Sequence, residues 1–192
     1  MDVIMIAVAI VLALIVVLVI AVFAAGALFC GDIACYTATG NKTLSPPGAP
    51  AGKALVVYNP GLSGAARQAA ENIAGGLQSK GYTVNLAGIK SPAAADITGY
   101  DVVIAGGPMY FGRVSNSVDA YLNGLKPQNG VKLGVFGTTG APQFNDGDIA
   151  SFGKQVAALP YSGTLKKAAV TQTIRTGAAE KADCAGLVSA VL

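Results

Sequence analysis

The sequence predicts an α/β domain built on a doubly wound, five-stranded parallel sheet, preceded by one transmembrane helix. One observation behind this prediction is that residues 3–29 contain no charged or amide side chain. The other is a regular alternation of apolar, strand-like runs with longer helical stretches that begins after Lys53. A chain of 192 residues accommodates one such domain and an anchor, but not two domains with separate cores.

The apolar segment is expected to cross a membrane. At about 1.5 Å per residue it spans roughly 40 Å, more than the ~30 Å of a hydrocarbon core, so tilt is expected. The alternatives are a buried helix of a soluble domain and a cleaved signal peptide. A soluble helix of this length needs a polar face. A signal peptide has a shorter apolar region preceded by Lys or Arg, whereas here only Asp2 follows the initiating methionine.

The expected domain boundaries are residues 1–30 for the anchor helix, 31–52 for a juxtamembrane segment and linker, and 53–192 for the α/β domain. Residues 36–52 are rich in Thr, Pro, Gly and Ala without apolar periodicity, and predict a flexible tether. Asp2 precedes the apolar segment, whereas Lys42 and Lys53 follow it. The positive-inside rule then places the domain on the cytoplasmic side of the cell membrane.

Histidine is absent and the cysteines are Cys30, Cys35 and Cys184, which argues against zinc, haem and His-based catalysis. Cys30 and Cys35 are either buried or interfacial thiols, which we favour, or a disulfide; Cys184 is expected in the core. Residues 36–192 hold 13 Lys and Arg against 8 Asp and Glu. This imbalance favours anionic headgroups or an acidic partner, or is an ordinary solvated surface. No basic run indicates nucleic-acid binding.

The alternation of apolar runs predicts the position of each strand and helix. Strands are expected at residues 54–58, 83–87, 102–105, 132–136 and 168–174, and helices at 65–79, 114–125, 148–159 and 178–191. The first and fourth strands are almost continuously apolar, which is typical of a parallel sheet covered by helices on both faces. These elements form a three-layer, doubly wound domain.

The loop after the first strand has the composition of an anion site. In an open parallel sheet, ligands bind beyond the carboxyl ends of the strands, where the strand order reverses. Backbone N–H groups and the dipole of the following helix converge in such a loop, although a tight turn with nothing bound is the alternative. Neither a Walker motif nor G-x-G-x-x-G is present. The loop consists of Asn59, Pro60, Gly61, Leu62, Ser63, Gly64 and Ala65.

The third and fourth strands carry motifs that resemble those of the flavodoxin family. Residues 101–104, DVVI, are followed by GGPMYFGR, which is similar to the family's G-S/T-P-x-Y-x-G loop. Residues 114–122, VSNSVDAYL, resemble the helix that the family places next, and residues 132–140, KLGVFGTTG, resemble its fourth strand and second flavin-facing loop. The resemblance covers residues 53–192 and implies a strand order of 2-1-3-4-5.

The resemblance implies FMN as the cofactor, with its phosphate in the first loop and its isoalloxazine ring between the second and third. Tyr110 or Phe111 would stack on the ring, and at least one of the two is expected to pack as core. Phe144 belongs to a segment that either closes over the ligand or caps the next helix, which we favour. No catalytic residue or metal ligand is predicted. The remaining implied contacts are Pro108, Met109, Gly112, Thr138, Thr139 and Gly140.

The first loop departs from the family's T-x-T-G-x-T pattern, because Ser63 supplies its one hydroxyl. Each missing hydroxyl–phosphate bond costs about 1.5–3 kcal/mol of binding free energy if nothing replaces it. We expect a membrane-tethered FMN electron-transfer protein with an unidentified redox partner, because no substrate-pocket residues stand out. The alternatives are a flavin-free accessory or interaction subunit of a membrane complex, and an FMN-dependent quinone-type reductase.

Overall fold

The computed structural model describes residues 2–34, 38–139, 141, 144–162, 168–174 and 177–192. The helices are α1 (Val3–Ala34), α2 (Ala65–Ser79), α3 (Asn116–Gly124), α4 (Asp146–Ala157) and α5 (Gly177–Val191). The strands are β1 (Asn41–Leu44), β2 (Gly52–Tyr58), β3 (Tyr82–Gly88), β4 (Val102–Tyr110), β5 (Arg113–Val114), β6 (Lys132–Thr139) and β7 (Ala168–Ile174).

The sheet has the order β1-β3-β2-β4-β6-β7, with β5 paired to the end of β4. Its parallel strands follow one another as β3-β2-β4-β6-β7. Counted along the chain from β2, this is the predicted order 2-1-3-4-5. The α/β fold class and its doubly wound parallel sheet are therefore confirmed.

The segment that joins α1 to the domain is more ordered than the sequence predicted. The prediction of a flexible tether over residues 36–52 is wrong for Asn41–Leu44, which form β1. This strand pairs antiparallel with β3 and places Asn41 opposite Ala87. Backbone bonds from Gly88 N to Gly40 O and from Lys90 N to Ala38 O, both 2.7 Å, extend this pairing. The edge of β3 offers unpaired backbone groups, and a neighbouring segment satisfies them whatever its side chains are.

Helices cover both faces of the sheet. On one face, Ile73 and Leu77 of α2 pack with Leu187 of α5 against buried residues of β2 and β4. On the other face, residues of α3 and α4, including Phe152, cover the opposite side chains of the same strands. Cys184 is 2% exposed and its thiol donates to Ala69 O at 3.5 Å, so its predicted place in the core is confirmed.

Strand β4 extends five residues beyond its predicted end at Ala105 and includes Gly106, Gly107 and Pro108. Proline is tolerated there because β2 ends opposite Gly106, so the missing N–H removes no bond to that strand. A side chain at Gly106 would collide with the carbonyl oxygen and ring of Phe136. The glycines therefore permit a strand where the sequence indicated a loop.

Helix α1 contains a 29-residue window, Val3–Gly31, that is long and apolar enough to cross a membrane, and none of its residues is buried in the described chain. A signal sequence satisfies the same criteria of length and composition. The predicted helix is thus present, and it continues to Ala34. Cys30 is exposed, and Cys35 lies outside the described residues.

Candidate functional site

The carboxyl ends of β2, β4 and β6 meet at one edge of the sheet and bring the three predicted loops together. The register places Tyr58 beside Gly106 and Pro108 beside Thr138. A cavity of about 180 Å³ opens between these strand ends. It is lined by Phe29, Leu62, Ser63, Pro108, Met109, Tyr110, Thr138 and Thr139.

Asn59 fixes the first loop from inside the protein. Its side chain is 1% exposed; Nδ2 donates to Ser115 Oγ at 2.8 Å, and Oδ1 accepts from Gly61 N at 3.0 Å. Gly61 has φ of +67°, and a Cβ at this position would press against the ring of Pro108. Asn59 therefore holds the loop against α3 through an amide, whereas the family pattern relies on hydroxyls.

The start of α2 presents its free backbone N–H groups at this edge. Gly64 is the N-cap residue, with φ of +75° and no side-chain capping bond, and the first turn contains no acidic residue. Ser63 is exposed and its Oγ accepts from Ala65 N at 3.3 Å. The positive end of the helix dipole is therefore unopposed, which favours an anion there.

Tyr110 and Phe111 end β4 in different environments. Tyr110 is half-buried, and its ring meets the ring of Phe29 edge-on, with centroids 5.0 Å apart at an interplanar angle of 71°. Phe111 is 95% exposed with φ of +53°, a left-handed conformation that is unusual for a bulky residue. The expectation that one of them packs as core is wrong, because the turn directs Phe111 outward and Tyr110 contacts α1.

Gly112 completes this turn with φ of +76°. A Cβ there would meet Asp148 and Ser151 of α4, so the glycine permits close packing of the turn against that helix. Residues 113 and 114 then return antiparallel to β4 as β5. The second loop is thus a tight hairpin held between β4 and α4.

In the third loop, Thr138 is buried and Thr139 is half-buried at the cavity wall, with Thr139 Oγ1 accepting from Ala141 N at 3.2 Å. Gly140 lies outside the described residues. Phe144 is half-buried against the core and does not line this cavity. The capping interpretation is confirmed, with Asn145 as the N-cap: its Oδ1 accepts from Asp148 N at 2.8 Å.

Phe29 is a site residue that the sequence did not reveal. It belongs to α1, yet it lines the cavity described above and a second one of about 220 Å³ that Tyr110 also lines. Its position near the end of an apolar helix gave no signal of a contact with a loop some 80 residues further along the chain. The described residues contain no group of three His, Cys, Asp or Glu able to hold a metal ion.

Solved structures share this architecture. The chain is similar to a flavodoxin from Streptococcus pneumoniae TIGR4, with a TM-score of 0.56 and 17% identity over 72% of this chain and 96% of that one. The fold is that of the flavodoxins. An oxidised flavodoxin 2 from Bacillus cereus gives a TM-score of 0.53, with 17% identity over 72% of this chain and 97% of that one.

A longer protein also contains this fold. Rubredoxin oxygen:oxidoreductase from Desulfovibrio gigas matches with a TM-score of 0.54 and 19% identity over 74% of this chain, which spans only 36% of that protein. No family model and no curated protein sequence matches the chain. These likenesses establish a flavodoxin-like fold for the domain.

The residue types at the edge fit a flavin. Backbone N–H groups at the start of α2 suit a phosphate, and the wall formed by Pro108, Met109 and Tyr110 suits a flat apolar ring. The cavity is smaller than the ~300 Å³ at which small-molecule sites usually begin. Phe29 and Leu62 help to line it, so a flavin ring would fit only if one of these side chains moved aside.

Proposed function

We propose that the chain is a membrane-tethered, FMN-binding electron-transfer protein. The observation that carries this proposal is the convergence of three flavodoxin-like loops around an apolar slot, with Tyr110 as its aromatic wall. The end of the long apolar helix α1 lies at the same slot through Phe29. A flavin site and a membrane anchor would then be neighbours in space.

Each loop would hold a different part of FMN. The N–H groups of α2 and the hydroxyl of Ser63 would bind the phosphate, because an anion is stabilised at a helix N-terminus. Tyr110 would cover one face of the ring and exclude water from it. Thr138 and Thr139 would face the polar edge of the ring. When bound, FMN would supply the exchange of one or two electrons.

Tethering would make the carrier efficient at a membrane partner. An anchored domain samples a small volume near the bilayer, so its effective concentration toward a membrane-bound partner is high without strong affinity. Lys42 and Lys53 follow α1, and the positive-inside rule assigns the domain to the cytoplasm. A topology reporter fused after Leu192 tests this assignment, and signal from the outer side would contradict it.

The two aromatic residues at the end of β4 provide the test of the redox function. Tyr110→Ala should raise the midpoint potential of bound flavin, because an aromatic face disfavours the electron-rich reduced ring. Phe111→Ala is the matched control and should leave the potential unchanged, since its side chain is 95% exposed. The measurement is a reductive titration of the full chain in detergent, followed at the flavin bands. Equal midpoint potentials in the unmodified chain, Tyr110→Ala and Phe111→Ala would contradict the placement of Tyr110 against the flavin ring.

A flavin-free accessory subunit is the second candidate. It is favoured by the single hydroxyl of the first loop, Ser63, and by the small slot that Phe29 helps to line. In that case the domain would serve as a docking module of a membrane complex. The two candidates differ in one observable, because the accessory subunit would remain colourless in the presence of excess FMN.

A further inference from the structure

The exposed large apolar side chains of the domain are gathered at one edge of the sheet. Outside α1, those that the structure describes as exposed are Leu62 at 58%, Phe111 at 95% and Ile149 at 43%. Leu62 belongs to the loop after β2, Phe111 follows β4, and Ile149 lies in the first turn of α4, which follows β6. All three therefore surround the carboxyl ends of the strands. We call them the apolar rim.

The end of α1 lies at the same edge. Phe29 contacts Tyr110, the residue before Phe111, and α1 also contacts α3. The apolar window Val3–Gly31 has 29 residues, or roughly 43 Å of helix, against about 30 Å of hydrocarbon. When the window is centred in the bilayer without tilt, Phe29 lies about 3 Å beyond the hydrocarbon boundary, and the expected tilt brings it closer to that boundary or just inside it. Tyr110 would then be at the level of the headgroups.

The short connection between α1 and the sheet limits how far the domain can move from the end of α1. The helix ends at Ala34, and Ala38 already bonds through its carbonyl to Lys90 N of the sheet. At about 3.3–3.6 Å per residue, the four steps from Ala34 to Ala38 span at most ~14 Å. The apolar rim is thus held within a short distance of the point where α1 leaves the membrane.

The backbone conformation of Phe111 is energetically unfavourable within the isolated domain. A left-handed conformation costs more free energy for a residue with a Cβ than for glycine, and the exposed Phe111 side chain gains no burial energy in the fold to offset that cost. A large exposed aromatic held in this way is suited to a surface outside the domain. Aromatic side chains are favoured where a membrane meets water.

We infer that the domain rests on the bilayer through the apolar rim, with Phe111, Leu62 and Ile149 in the boundary between headgroups and acyl chains. This inference rests on the proposed membrane anchor and not on FMN. Charges of both signs flank the rim, namely Arg113, Asp146 and Asp148, so the contact is mainly apolar. A redox partner would then reach the slot beside Tyr110 from the membrane surface.

The chain contains no tryptophan, so a single introduced tryptophan reports its own environment. Full-length Phe111→Trp, Phe23→Trp and Gln128→Trp are reconstituted separately into phosphatidylcholine vesicles. The lipids are unlabelled, brominated near the top of the acyl chains, or brominated near the bilayer centre. Each emission is divided by that of the same variant in unlabelled lipid, which cancels quenching by any bound flavin. Gln128 is exposed before β6, at the opposite edge of the sheet, and is the matched control.

We expect Phe111→Trp to lose roughly half of its emission in the shallow-brominated vesicles, because interfacial side chains lie about 5–10 Å into this boundary. Phe23→Trp should be quenched by the deep label, and Gln128→Trp by neither. Unquenched Phe111→Trp with quenched Phe23→Trp overturns the docking and leaves the anchor intact. Unquenched Phe23→Trp overturns the anchor itself. A blue-shifted but unquenched Phe111→Trp assigns the rim to a second copy of the chain and also overturns the inference.

Discussion

Replacing Ser63 with alanine separates phosphate recognition from ring recognition. Ser63 is exposed and its Oγ accepts from Ala65 N at 3.3 Å, so its removal costs little folding free energy. As the one hydroxyl in that loop, it is the side chain available to a phosphate. The lost bond to a charged group is worth about 1.5–3 kcal/mol, which weakens FMN binding about 10- to 150-fold.

The assay is a fluorescence titration of full-length protein in detergent with two ligands, FMN and riboflavin. Riboflavin lacks the phosphate, so its Kd should be the same for Ser63→Ala and the unmodified chain. Ser79→Ala is the matched control, because Ser79 is an exposed serine at the other end of α2. Ser63 does not bind the phosphate if Ser63→Ala raises the Kd of both ligands equally, or if it leaves the Kd for FMN unchanged.

Three further predictions concern the slot, the first loop and the core. Phe29→Ala should tighten FMN binding about 2- to 12-fold, because entry of the flavin ring no longer breaks the contact between Phe29 and Tyr110. Leu28→Ala is the control and should leave the Kd for FMN unchanged. Weaker binding by Phe29→Ala would contradict this prediction and make Phe29 part of the flavin site. Asn59→Ala should lower the free energy of unfolding, measured by urea denaturation, by about 2–4 kcal/mol, because it removes two hydrogen bonds of a buried amide. A loss smaller than that of the exposed control Asn123→Ala would show that Asn59 does not hold the first loop in place. Burial raises the pKa of Tyr161 to about 12, so stability should fall as the pH rises from about 10, where the unfolded phenol ionises, through 12. Tyr161→Phe should make that part of the pH profile of thermal unfolding less steep, the remaining slope coming from Tyr121, whose pKa burial also raises; an unchanged profile would contradict it.

The sequence was informative where local pattern determines structure. Helix α2 has the predicted bounds, Ala65–Ser79, because its buried alanines and Ile73 recur every three or four residues. The parallel order followed from the motifs after the third and fourth strands. The wall formed by Pro108, Met109 and Tyr110 was found from the same motifs.

Features that depend on contacts between distant segments could not be predicted. Strand β1 has no apolar alternation, and it forms because the edge of β3 offers backbone partners. The contact between Phe29 and Tyr110 joins an apolar helix to a loop far along the chain, and no local pattern encodes such a contact. The outward turn of Phe111 depends on a left-handed backbone, for which the sequence signal is glycine or asparagine rather than phenylalanine.

The central claim is that this flavodoxin-like domain binds FMN. The most direct test is the visible absorption spectrum of the full chain in lipid nanodiscs, after equilibration with excess FMN and extensive washing. An FMN-binding domain should retain bands near the flavin positions of roughly 370 and 450 nm, at a stoichiometry of about one FMN per chain. A folded but colourless protein would contradict this claim and would make the domain a flavin-free docking module.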